Sequence, residues 1–147
     1  MAQLTADLVR TYRNLGKSWG YKLAASTVIF MGAACNVASN RAAQSDGDVA
    51  KPFGGFAERG ADNTGGADGE VYAQLYEEGE VLLDVTGVVV STLLGAEVFC
   101  DDSNLFTLTP AAGVACRVGT VREYVADGKA WVHFQSAGIA GNKNRAA

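Results

Sequence analysis

One histidine and three cysteines are the residues of this sequence from which a thiol nucleophile and its base could be assembled. The pair would need His133 beside Cys35, Cys100 or Cys116, with a third group orienting the imidazole. His133 lies in Trp131-Val-His-Phe134, an alternating segment that reads as a strand, and the residues favour a hydrogen-bonded structural histidine there. Zinc asks for soft ligands in pairs two to four residues apart. The cysteines stand 65 and 16 residues apart with one histidine to share, so the sequence holds no metal motif of that kind.

Three further patterns resemble chemistry more than they support it. Leu15-Gly-Lys-Ser18 ends like a phosphate-binding loop, but Thr11 stands where the first glycine belongs and no strand precedes it. Gly60-Ala-Asp-Asn-Thr-Gly-Gly-Ala-Asp-Gly69 sets Asp62, Asn63 and Asp68 among glycines. A calcium loop needs a late bidentate glutamate, and Glu70 comes too early, so side chains turning onto their own backbone are the better reading. Glu77, Glu78, Glu80 and Asp84, then Asp101 and Asp102, read as solvated acidic faces rather than a catalytic pair. No catalytic residue, cofactor or metal is expected.

Elements must now be found to carry these residues. Leu4, Leu8, Tyr12, Leu15 and Trp19 recur at three or four residues, the stripe of a short amphipathic helix or helical arm over residues 1–25. Arg10, Arg13 and Lys17 lie off that stripe. Such a segment either packs on its own domain or docks on a partner, and as a detachable arm it would leave the remaining domain folded. From Ser26 the pattern changes to short runs rich in β-branched and aromatic residues: 27–31, 71–76, 81–85, 97–100, 105–109, 114–118, 121–125 and 130–134. The run Val88–Leu94 reads as another strand, with a buried helix as its alternative. Asp127-Gly128 reads as a tight hairpin turn with both residues at positive φ. These features predict a mainly β chain, a small compact β-barrel or sandwich over 26–136, with a short N-terminal helix or extended arm and a flexible tail at 137–147. Seven of the 18 glycines fall between Asp46 and Gly69, which predicts a loop system there.

The chain has 147 residues, enough for one domain with a real core. The apolar runs fall short of the roughly 18 residues of a membrane span, and the amino end lacks the basic and apolar regions of a secretory signal. Three widely spaced cysteines read as reduced thiols of a protein folded in a cytoplasm. The net charge of −4 hides a division. Residues 1–45 carry five basic side chains against Asp7, residues 46–102 carry Lys51 and Arg59 against thirteen carboxylates, and residues 103–147 carry five against two. An acidic β region without a basic stripe speaks against nucleic-acid binding.

The order of these pieces resembles a known family. The Asp- and Gly-rich approach Gly60–Gly69, the strand Glu80-Val-Leu-Leu-Asp-Val85, the acidic turn in Glu97-Val-Phe-Cys-Asp-Asp102, and Arg117-Val-Gly-Thr-Val121 leading through Asp127-Gly128 into Ala130-Trp-Val-His-Phe134 are similar to the small capsid decoration, or cement, proteins of tailed bacteriophages. The likeness covers roughly residues 26–135. It implies a structural virion protein of small β-barrel type on the outer capsid surface, bound where major capsid subunits meet and self-associating as a trimer in preference to a dimer. No membrane partner is expected. In that reading Arg10, Tyr12, Arg13, Lys17, Trp19 and Tyr21 are the capsid-binding residues, and the acidic middle faces solvent. The alternatives are a receptor- or sugar-binding head fibre, to which exposed aromatics in the Phe53–Phe56 loop would point while hydrophobic anchoring of that loop is equally open, and a small Cys/His enzyme.

Overall fold

Alternation of inward and outward side chains is clearest along the last strand of the protein, Lys129–Gln135, and in the computed structural model that strand closes a barrel. Residues 3–111, 113, 114, 116–141 and 144 are described. In chain order the strands are β1 (Tyr12–Arg13), β2 (Ser18–Lys22), β3 (Val28–Ile29), β4 (Ala34–Ala38), β5 (Arg41–Gln44), β6 (Phe53–Ala57), β7 (Ala61–Asp62), β8 (Tyr72–Tyr76), β9 (Glu78–Thr86), β10 (Glu97–Asp102), β11 (Leu105–Thr107), β12 (Cys116–Ala126) and β13 (Lys129–Gln135). A single turn of helix, α1 (Ala137–Ala140), follows.

The barrel runs β9-β11-β10-β12-β13 and returns to β9, which closes five strands on themselves and leaves few edges to protect. β9 is its hub. Along one side it pairs antiparallel with β13 from Glu78↔Gln135 to Asp84↔Lys129. Along the other it takes β1 at Val81↔Tyr12 and, further on, β11 in parallel at Val85↔Phe106. Alternation decides what faces inward: Ala130, Val132 and Phe134 of β13 are buried, while Trp131, His133 and Gln135 stand on the outer wall.

A second sheet, β2-β8-β6-β4-β5, curls until its outer strands meet through one parallel bridge, Leu23↔Ala42. Its inner face holds small residues, Ala33, Cys35, Ala42, Ala57 and Ala73, around Leu23, Ile29 and Leu75. β6 joins the two cores. Its sequence, Phe-Gly-Gly-Phe-Ala, is buried throughout, with Phe53 and Phe56 turned into the barrel core and Ala57 into the smaller one. Gly55 permits this: φ is +136°, and a Cβ there would lie 2.2 Å from the Tyr76 carbonyl oxygen. The glycine-rich stretch expected to be loop therefore carries a central strand, and of the two readings of Phe53 and Phe56, exposure or anchoring, the structure has anchoring.

Residues 3–25 take the extended alternative and not the helical one. They run extended, supply β1 and β2, and turn between them at Asn14, whose φ is +52°. The Tyr12 ring meets Phe56, Tyr76 and Phe134 edge-on, with centroids 6.5, 5.0 and 6.3 Å away. Val88–Leu94 is also neither the expected strand nor a helix but a structured loop. At the β12–β13 hairpin Gly128 takes positive φ while Asp127 does not, so the turn keeps its position and changes its type. The tail is tied down in part: Asn144 accepts from Arg117 N and donates to the Val49 and Lys51 carbonyls at 3.0 and 2.9 Å. Residues 142, 143 and 145–147 of that segment lie outside the described residues.

Candidate functional site

The Cys–His pair that the residue types could have supplied is divided by the barrel wall. Cys100 and Cys116 are in the barrel core, Cys35 is in the smaller core, and His133 points outward, its Nε2 3.6 Å from Glu78 Oε2. Burial also raises the Cys35 thiol well above the ordinary range, so its ionised form is disfavoured.

The loop patterns resolve into local hydrogen bonding. Asp62 accepts from Thr64 N at 2.8 Å, and Glu70 accepts from Ala67 N at 2.7 Å. Buried Asn63 donates to the Ala24 and Ala67 carbonyls, and Asp68 takes Arg41 through both its oxygens at 2.8 and 2.9 Å. Among the described residues no cluster suits a metal ion. Leu15-Gly-Lys-Ser18 is extended, with Gly16 N bound to the Glu78 carbonyl, so its amides are not turned together as a phosphate cradle requires. Of the acidic run, Glu77 holds the Tyr21 hydroxyl, Glu78 holds Gln135, Glu80 holds Arg13 and Asn14, and Asp84 faces Lys129. Each is engaged at a different place, and Glu77, Glu80 and, further on, Asp102 are buried and do not form the solvated faces expected of them.

The six residues assigned to a partner surface separate into two sets. Arg10 lies over the Phe56 and Phe106 rings at 5.2 and 5.4 Å and donates to the Gly32 carbonyl and to Asn104. Burial lowers its pKa, though it remains a cation. Tyr12 is packed as above; burial raises its hydroxyl pKa, and that oxygen finds no hydrogen-bond partner among the described residues. Arg13 lies 4.1 Å over the Trp131 ring and bonds Glu80 and Glu123. Tyr21 is half-buried, its hydroxyl pushed up to about 12 by burial and by its bond to Glu77. Arg10, Tyr12, Arg13 and Tyr21 are thus spent on the chain's own fold. Lys17 and Trp19 are exposed, Trp19 at 61 %.

Among the described residues a prominent exposed apolar surface lies where the sequence pointed to a strand or a buried helix. The loop Gly87–Gly95 leaves β9 and returns to β10 carrying Val89, Val90, Leu93 and Leu94 into solvent, the last three at 76, 78 and 73 % exposure. It is not slack. Val88 is buried at its base and accepts from Gly128 N, Val89 N bonds Thr92 Oγ1, Thr92 N bonds the Val89 carbonyl, and Gly95 N reaches the Val121 carbonyl. Leu94 closes one side of a cleft of about 430 Å³, floored by Thr120 and Val121 and edged by Glu80, Arg122 and His133. A pre-ordered apolar projection beside a polar cleft can bury surface on a partner at little cost in ordering. Its sequence signal was the pair of bracketing glycines with Ser91-Thr92 between, which interrupts both strand and helix periodicity. Compared with protein-family models, curated proteins and solved structures, the chain matches none.

Proposed function

We propose that this protein is a structural virion component, a decoration or cement protein that binds the outer surface of a tailed-phage head and strengthens contacts between major capsid subunits. The observation that carries the reading is the projecting loop Gly87–Gly95. Four exposed aliphatic side chains on an ordered loop form the kind of patch that marks a protein–protein contact, and burying each contributes roughly 1.5–3 kcal/mol. The order of strand motifs over residues 26–135 supports the same reading. A closed barrel suits a part that must transmit load, and repetition on a lattice allows each single contact to be modest. In this reading the loop, with Lys17 and Trp19, replaces the N-terminal segment as the principal contact, and the protein folds in the host cytoplasm and self-associates on the shell. The pointer toward the sugar-binding alternative would have been exposure of Phe53 and Phe56, and both are buried.

The test uses heads assembled without this protein by the phage that encodes it. Wild-type protein should co-sediment with them to a saturating copy number. Leu93→Asp and Leu94→Asp should bind at least tenfold more weakly while keeping the wild-type melting temperature. Failure of the wild type to bind removes the function; equal binding by both variants removes the loop's role.

A further inference from the structure

Cys100 of β10 and Cys116 of β12 are register partners in an antiparallel pair. Directly opposed residues of such a pair stand about 4.5–5.5 Å apart at Cα, inside the roughly 4.4–6.8 Å that a disulfide spans. Both side chains are fully buried in the same core. They also share one polar nest: Cys100 Sγ lies 3.2 Å from Ser45 Oγ, and Cys116 Sγ donates to Asn36 Oδ1 at 3.2 Å. Cys35 differs. It belongs to the smaller core, faces Gly55 and Gln44 in the register, and donates to the Ala33 carbonyl.

We propose that Cys100 and Cys116 are a cross-strand dithiol that closes to a disulfide when the protein folds in an oxidising medium. The co-reactant is a low-molecular-weight disulfide. One cysteine, as thiolate, attacks it, forming a mixed disulfide and expelling one small thiolate. The other cysteine then attacks the protein-bound sulfur and expels the second. The S–S bond of the reagent breaks, the Cys100–Cys116 bond forms, and two electrons and two protons pass to the two small thiols released. The bond would tie β10 to β12 across the segment 101–115 and restrict the unfolded chain. In a reducing cytoplasm the same pair stays as two thiols. This inference does not depend on the virion reading.

Burial shields both sulfurs from reagents in the folded state, so the test is made during folding. The full reduced chain is unfolded in denaturant, refolded in a mixture of oxidised and reduced glutathione, quenched in acid and alkylated under denaturing conditions. The expected product is two hydrogens lighter before alkylation, carries one alkyl group, on Cys35, and yields a peptide pair joining Cys100 to Cys116. It should melt above the reduced protein, and Cys35→Ala should give the same cross-link. Three alkylated cysteines, a glutathione adduct in place of the bond, or a cross-link to Cys35 would overturn the proposal.

Discussion

Arg13 lies over Trp131, with 4.1 Å from guanidinium carbon to ring centroid, while the same guanidinium holds Glu80 on the neighbouring strand. A side chain from the first strand is thereby fixed to the last strand and to the hub between them. Removal of this segment should have consequences far from it.

Deleting residues 1–20 should unfold the protein rather than release an independent β-domain. Tyr12→Ala alone should cost about 3 kcal/mol, the scale for truncating a large side chain in a packed core, because its ring touches Phe56, Tyr76 and Phe134. Urea unfolding followed by far-ultraviolet circular dichroism checks both. A deletion variant with a wild-type midpoint would restore the detachable arm.

Acid should destabilise the fold partly through Glu80. The hydrogen bond from Arg13 is the main reason its carboxyl is held below the usual glutamate range, and Asn14 adds to it. A group depressed in the folded state contributes stability that is present above its unfolded value, about 4.3, and that is lost as pH falls through the folded value. Glu80→Gln should flatten the decline of stability below about pH 5. Unfolding midpoints measured from pH 7 to pH 3 for both proteins would show it; identical slopes would exclude Glu80 as a contributor.

Gly55 and Gly128 both have positive φ and should respond differently to alanine. At Gly128 the space is open, so the substitution should cost about 1 kcal/mol of backbone strain. At Gly55 the new methyl would collide with the backbone oxygen of Tyr76, and the cost should reach about 3 kcal/mol or prevent folding. Comparable melting temperatures for the two variants would contradict the assigned packing of β6.

Much of the barrel was legible in the sequence because alternation is a direct record of two-sided burial. Val81, Leu83 and Val85, then Ala130, Val132 and Phe134, mark inward positions at every second residue, and the structure buries all six. The N-terminal stripe misled for a geometric reason. Leu4, Leu8 and Tyr12 are four apart, a spacing that places residues on one face of a helix and equally on one face of an extended chain. Phe53–Ala57 was missed because two glycines hide a strand from any propensity argument. The exposed loop was missed for the opposite reason: an apolar run was assumed to be core, although nothing in composition distinguishes a hydrophobic residue that faces inward from one offered to a partner.

The pairing of β1 and β13 with the same strand bears on how the protein can be made. Tyr12 rests against Phe134, and β9 joins both ends of the chain. During synthesis β1 gains its pairing partner once β9 is made, but the packing of Tyr12 and Arg13 is completed only when Phe134 and Trp131 of β13 have emerged. The β12–β13 hairpin, joined by two residues, forms from local chain, but the barrel around β9 closes only when that hairpin has been made. Folding is therefore a late event for the whole chain, and nascent chains halted before residue 134 should remain sensitive to protease and dependent on chaperones.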